Sequence, residues 1–359
     1  MTTERFTLRP ARRILGLSPY RRAALPPHVD LRLDGNEGPL PDAALLHALA
    51  DASPELLRRY PDASALEHAL AVRHGVAPDS VLVTAGADEA LDRLCRGLGE
   101  PGGNAVGVSP SFEMIPRYAA LAELELRTVP WLDGPFPRAE YLGLVDAGTR
   151  LLFVVTPNNP TGLVVGEADV RALARAAPHA LLVADLAYAE FGEDALTATV
   201  LALDAGLVLR TFSKARGLAG LRVGYALGRP DVIEAMRTAG SPFGVASLSL
   251  ALAALALEEP EAALLRRVEG VRATRELVGA RLRALGFVVP TSAANFVLAR
   301  GPRSRTLAAH LLAQGIAVRS FHGHPLLADA LRITAPAEES ARRRLLAALE
   351  SFPLAGGTP

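Results

Sequence analysis

Short, nearly continuous apolar runs alternate with amphipathic stretches through the middle of this 359-residue chain. The runs SVLVTAG (80–86), NAVGVS (104–109), RLLFVVT (150–156), ALLVADL (180–186), LVLRTFS (207–213) and RVGYAL (222–227) have the length and composition of buried strands. Between several of them, stretches such as DEALDRLCRGL (88–98) and EADVRALARAA (167–177) carry apolar residues at helical spacing. Strands apolar on both faces, alternating with helices, predict an α/β architecture: a mostly parallel central sheet covered by helices on both sides. After about Gly244 the rhythm changes. A long Ala/Leu/Arg-rich helical region (about 246–285) leads to FVVP, NFVLAR, AVRS and LRIT, with helices near 303–314 and 337–350. That order predicts a smaller α+β domain. The expected division is an arm at 1–41 that packs on or joins the small domain, a large domain at 42–245 and a small domain at 246–359.

Composition narrows the function classes. The 38 basic and 38 acidic residues cancel and are interspersed, which reads as solvated helix faces rather than a basic stripe for nucleic acid. The single cysteine, Cys95, falls in an apolar-periodic run, so disulfides and cysteine-based metal sites are not expected. The start, MTTERFTLRPARR, lacks the apolar core of a signal peptide. The longest apolar run, VASLSLALAALAL, soon meets Glu258 and Glu259, which fits a buried helix better than a membrane span. The expectation is a cytoplasmic protein with no bound metal, no nucleic-acid partner and no membrane partner.

One detail of composition points to chemistry. Lys214 is the only lysine in the chain, and the other 37 basic residues are arginine. An amine condenses with a carbonyl and shifts its pKa readily, whereas a guanidinium does neither. Lys214 follows an apolar strand, and ligands of open α/β sheets meet the carboxyl ends of strands. Thr211, Ser213 and Arg222 surround the same turn with two hydroxyls and a guanidinium, a set suited to a phosphate. The stretch TAGADEA (84–90) is either an ordinary strand-to-helix connection capped by Asp88 or a helix N-terminus that receives a phosphate. Asn158 and Asn159, adjacent and flanked by prolines, form either a plain turn or a rigid mount for one ligand-facing amide. Asp185 closes an apolar strand, where a carboxylate needs a partner such as a protonated ring nitrogen, or else serves as an N-cap for the next element. Tyr188 lies three residues on, able to aim a phenol at the same ligand.

Taken together these residues resemble a known pattern. LSPYR (17–21), LDGNEGP (33–39), YPD (60–62), GADE (86–89), PSFEM (110–114), PNNPTG (157–162), DLAY (185–188), TFSKARGLAGLRVG (211–224), NFVL (295–298) and LRIT (331–334) stand in family order. The chain is similar to the fold-type I aminotransferases that use pyridoxal 5′-phosphate, and within them to the histidinol-phosphate aminotransferase family. The resemblance implies that Lys214 forms the Schiff base with the cofactor and then serves as the acid/base that moves a proton between Cα and C4′. It implies that Asp185 pairs with the pyridine nitrogen, that Asn159 and Tyr188 bond the ring oxygen, and that Phe112 stacks on the ring. The phosphate would rest on the backbone of Ala87 and Asp88, with Thr211, Ser213 and Arg222 completing the cup. Tyr60 corresponds to a residue contributed from the neighbouring subunit, which implies a homodimer with shared active sites.

For the substrate, the resemblance assigns Arg332 to an amino acid's α-carboxylate, a bidentate task suited to a guanidinium, with the same site taking the phosphate of histidinol phosphate, and places Tyr20, Asn159 and Arg319 in the same pocket. Arg319 could equally be a strand-end surface arginine. The implied reaction exchanges an amino group between glutamate/2-oxoglutarate and histidinol phosphate/imidazole acetol phosphate, a step of histidine biosynthesis. Alternatives are an aromatic or other amino-acid aminotransferase, a related decarboxylase of a phosphorylated amino acid, and a non-catalytic binding protein of the same fold. Three places depart from the family pattern: Phe112 stands where a tyrosine is frequent, Gly38 where many members carry a bulkier residue, and APAEE (335–339) follows LRIT where a glycine-containing turn is commoner.

Overall fold

In a computed structural model the chain is described over residues 10–20, 24–48, 52–192, 196–321 and 323–354. Its strands, in chain order, are β1 (Leu31–Leu33), β2 (Val81–Thr84), β3 (Asn104–Ser109), β4 (Glu125–Pro130), β5 (Thr149–Val155), β6 (Leu181–Asp185), β7 (Gly206–Thr211), β8 (Gly224–Gly228), β9 (Phe296–Arg300), β10 (Ile316–Ser320) and β11 (Ala330–Thr334). Seven of them form one sheet in the order β2-β8-β7-β6-β5-β3-β4. Within it β8 runs antiparallel to both neighbours and the remaining pairs are parallel.

Both faces of this sheet are covered, as the continuous apolar runs require. Along β5, Leu152 and Val154 enter one core with Leu70, Leu173 and Leu250, while Leu151, Phe153 and Val155 enter the other with Leu91, Leu94 and Met236. The two-residue period of a strand thus feeds two helical layers. Cys95 sits in the second core, and burial pushes its thiol up to about 12, which leaves it an inert packing group.

Two expectations need amendment. β4 (ELRTVP) does not stand out in the hydrophobic pattern. It lies at the sheet edge with only Val129 buried, so its composition is that of a half-solvated strand. The long helical region after Gly244 is two helices, Ser247–Glu258 and Glu261–Ala284, broken where Pro260 removes a donor and holds Glu259 extended. The first of them buries Leu250, Ala253 and Ala256 in the core of the large sheet, so the chain stays with that layer before the second helix leads away.

The second sheet has the order β1-β10-β11-β9, with β1 parallel to β10 and the other pairs antiparallel. Leu331 and Ile333 of β11 face its core beside Val297, Leu307 and Leu345. The alternate residues of the same strand, Arg332 and Thr334, therefore face the other way, toward the large sheet.

Candidate active site

The carboxyl ends of β3, β5, β6 and β7 lie on one edge of the large sheet, and so does the end of β2, which runs antiparallel to β8 as β7 does. A cleft of about 550 Å³ opens there. Its lining includes Tyr20, Ala87, Asp88, Phe112, Asn159, Asp185, Tyr188, Thr211, Ser213, Lys214 and Arg222. These residues come from six separate stretches of chain, and the parallel topology is what brings their strand ends together.

Asp185 ends β6 and is 5% exposed. It does not cap a helix: its carboxylate accepts the Ala187 N–H at 3.1 Å, and the next element, a short 3₁₀ turn, begins after Tyr188. Desolvation holds its pKa up at about 6, only partly offset by that N–H and by Lys214. A cationic ligand atom beside it would remove this penalty. Lys214 follows β7, and its Nζ donates to the Asn36 carbonyl at 2.8 Å and lies 5.4 Å from the centre of the Tyr188 ring.

The anion end of the cleft is built on the helix Gly86–Leu98, whose N-cap, Ala85, makes no side-chain capping bond. Asp88 therefore is not the cap. It pairs instead with Arg222 at 3.0 Å, while Glu89 accepts the Ala85 N–H. Thr211 donates to the Ser213 hydroxyl at 2.9 Å, and Arg222 reaches the same oxygen at 3.4 Å. Gly86 has φ +81°, and a side chain there would overlap the Arg222 guanidinium. The free amides of the first turn, two hydroxyls and a guanidinium make a cup for a phosphate.

The asparagine pair divides its labour. Asn158 is fully buried and ties Ser111, the Pro110 carbonyl and Thr161 together, whereas Asn159 accepts from Arg332 at 2.6 Å and faces the cleft. Arg332 is 7% exposed, and its other hydrogen bond goes to the Asp34 carbonyl at 2.8 Å. Burial lowers its pKa, and among the described residues no carboxylate forms an ion pair with it. Arg319 is its direct partner across the β10–β11 ladder and pairs with Glu113 at 2.9 Å. Both arginines line a cavity of about 330 Å³ that shares Asn159 and Glu113 with the lysine cleft.

Tyr60 is the one predicted site residue outside both cavities. It is 80% exposed and stacks on Phe243 with ring centres 4.7 Å apart. Sequence reasoning also missed two participants. Glu113 joins the two cavities, and Asn36 supplies the acceptor for Lys214. Asparagine is scarce in this chain, and that scarcity was the available signal for Asn36. Gly38, one of the departures from the family pattern, has a physical cause: a Cβ there would overlap the Lys214 carbonyl oxygen.

Comparison with known proteins agrees with this geometry. The model of aminotransferase class I and II matches residues 30–349, and the chain belongs to that family. It is 39% identical over 326 residues to an aromatic amino acid aminotransferase of Thermobifida fusca, covering 88% of this chain and 87% of that one. It is 37% identical over 315 residues to histidinol-phosphate aminotransferase 1 of Bordetella parapertussis, covering 85% and 88%. Histidinol-phosphate aminotransferase from Sinorhizobium meliloti in complex with pyridoxal 5′-phosphate superposes with a TM-score of 0.81 at 27% identity, over 89% of this chain and 90% of that one. The protein is thus a pyridoxal-phosphate-dependent aminotransferase, acting on an amino donor and a keto-acid acceptor. The cleft fits that cofactor: an amine, a buried carboxylate that forms no ion pair among the described residues, and a phosphate cup occur together. Among the described residues no helix is long and apolar enough to cross a membrane, and no cluster of His, Cys, Asp or Glu is arranged to hold a metal ion.

Proposed function

We propose that this aminotransferase exchanges an amino group between glutamate/2-oxoglutarate and histidinol phosphate/imidazole acetol phosphate. The observation that carries the reading is the pair of guanidiniums, Arg332 and Arg319, set opposite each other in one cavity beside the lysine. Two like charges in register repel, and the buried one has carbonyl-type acceptors rather than a carboxylate among the described residues. A substrate phosphate, or the α-carboxylate of glutamate, relieves both conditions. It would also take Arg319 away from Glu113.

In this reading the cofactor supplies an aldehyde for amines and a ring that withdraws electrons. Lys214 would hold the cofactor and would be the base that moves a proton at the substrate Cα. Asp185 would pair with the ring nitrogen, Asn159 and Tyr188 would bond the ring oxygen, and Phe112 would cover a ring face. Ala87, Asp88, Thr211, Ser213 and Arg222 hold the phosphate. Tyr20, at the cleft mouth, contacts the substrate. Tyr60 reaches the site of a second copy: its exposure beside Phe243 supports a homodimer, because an outward aromatic stack of this kind gains by being covered.

A second reading, an aromatic amino acid as the partner of glutamate, is favoured by Phe321 and Leu327 on the same cavity and by the Thermobifida fusca relative. A substrate panel with glutamate as donor separates the two. We expect kcat/KM for imidazole acetol phosphate to exceed that for phenylpyruvate by about 100-fold, the worth of a phosphate held by two charge-assisted bonds. The reverse order would establish the aromatic reading instead. Arg332→Ala should raise KM for glutamate by about 100-fold while pyridoxal phosphate binding, followed by cofactor absorbance, stays within about threefold. An unchanged KM would remove Arg332 from the anion site.

A further inference from the structure

Asn36 is 1% exposed and sits in the left-handed region with φ +52°, a backbone conformation that asparagine tolerates better than most residues. That conformation points its carbonyl at the cleft, where it accepts the Lys214 ammonium at 2.8 Å and the Asn295 amide at 3.3 Å. Its side chain is used as fully. The amide nitrogen donates to the Tyr188 hydroxyl at 3.1 Å, and the amide oxygen accepts from Thr334 at 3.1 Å. The backbone N–H of Asn36 in turn donates to the same Thr334 hydroxyl oxygen at 3.1 Å.

The donor directions have three consequences. Tyr188, already accepting from Asn36, keeps its own O–H proton to donate into the cleft. Lys214 has an acceptor that does not depend on any ligand, so its amine has a defined place whenever it is not joined to the cofactor. Thr334 lies two residues from Arg332 on the same face of β11, and the Asp34 carbonyl two residues before Asn36 holds Arg332 itself. The segment 34–36 is thus fastened at one end to the anion-binding strand and at the other to the catalytic amine. Gly38 lets the segment lie directly against the Lys214 turn.

We propose that Asn36 is a positioning residue of the reaction: its carbonyl holds the freed amine of Lys214, and its side-chain amide makes the Tyr188 phenol a donor toward the cofactor. The proposal rests on the aminotransferase reading of Lys214 and adds a residue that reading does not contain. The left-handed backbone is what aims the carbonyl. Ala at position 36 is strained there and loses the amide, whereas Gly loses the amide but keeps the conformation at no steric cost.

The single lysine makes the test direct, since amine acylation of this chain modifies only Lys214 and the N-terminus, on different peptides. The full-length apoprotein is acylated with acetic anhydride at fixed pH, and the rate at the Lys214 peptide is read by mass spectrometry. Asn36→Ala should react at least about fivefold faster than wild type, because the amine is released from its acceptor. In the holoenzyme the same variant should lose about 10-fold or more in kcat with KM for glutamate within about twofold. Its kinetic isotope effect with 2-deuterated glutamate should rise, because proton movement by a misplaced lysine becomes limiting. Asn36→Gly should lie closer to wild type than to Asn36→Ala in acylation rate, because its carbonyl stays aimed at the amine, whereas its kcat should fall below wild type, because the amide that orients Tyr188 is gone. Wild-type acylation and isotope effect in a folded Asn36→Ala protein would overturn the proposal, and so would a Gly variant acylated as fast as the Ala variant or one with wild-type kcat. Borohydride linkage of pyridoxal phosphate to Lys214 in the wild type checks the underlying reading separately. If that linkage fails, the acylation rates still decide whether Asn36 holds the amine.

Discussion

Lys214→Arg should abolish transamination, with kcat reduced by at least about 10⁴-fold, although the substitution keeps the charge. Two separate functions are lost at once. A guanidinium does not condense with an aldehyde, and with a pKa above about 12 it does not exchange a proton near neutral pH. The site also leaves little room for a compromise. Nζ is held 2.8 Å from the Asn36 carbonyl and 5.4 Å from the Tyr188 ring centre, so the larger planar group must displace one of them. Lys214→Ala should be equally inactive but should retain cofactor through the phosphate cup and Asp185, because those contacts do not involve the amine. The decisive measurement is borohydride reduction followed by peptide mass spectrometry. Wild type should carry the cofactor mass on the Lys214 peptide, and both variants should carry none. Residual turnover above about 1% in the arginine variant would show that the amine is not the reacting group.

That this lysine was legible at all comes from composition: where every other Lys/Arg position is arginine, the exception marks a position with a chemical requirement. Asp185 was legible for a different reason, as a carboxylate at the end of an apolar strand, and its raised pKa is the physical expression of that context. Strands apolar on both faces declared themselves, because burial on two sides erases the polar alternation. β4 did not, since an edge strand mixes polar and apolar residues, and β1 is only three residues long. The roles of Asn36 and Glu113 depend on partners brought from far along the chain, 178 residues away for Lys214 and 206 for Arg319. The pairing of Arg319 with Arg332 is a matter of strand register, which local pattern does not encode. Tyr60 is the complementary case: its motif was visible, yet within one chain it reaches neither cavity, and its proposed role requires a second copy.

Asp185→Asn should inactivate the enzyme and stabilise the apoprotein. The carboxylate is buried, and among the described residues its hydrogen bond comes from a single backbone N–H, that of Ala187. Its pKa of about 6, against an ordinary value of 3.8, means that the folded apoprotein binds this proton more tightly than the unfolded chain does. Stability therefore falls as pH rises from about 4 through about 6, and the penalty is complete above that window. Its size is on the order of 3 kcal/mol, at about 1.4 kcal/mol for each pH unit between the folded and unfolded values. Asparagine is uncharged at all these pH values and keeps an acceptor for the Ala187 N–H. The variant's apoprotein should then melt about 4 °C higher than wild type at pH 7.5, given the unfolding entropy of a chain this long. Near pH 4 the difference should vanish. With pyridoxal phosphate bound the order should reverse, because only the carboxylate gains from a protonated ring nitrogen. Turnover should fall by about 10²–10³-fold or more, the range for loss of one preorganised electrostatic contact to the reacting system. Differential scanning fluorimetry of both proteins at pH 4 and 7.5, with and without cofactor, measures all four states. An apoprotein stability that is independent of pH across this window would mean that Asp185 is not the destabilising carboxylate. Equal stabilisation of both proteins by the cofactor would place the ring nitrogen elsewhere.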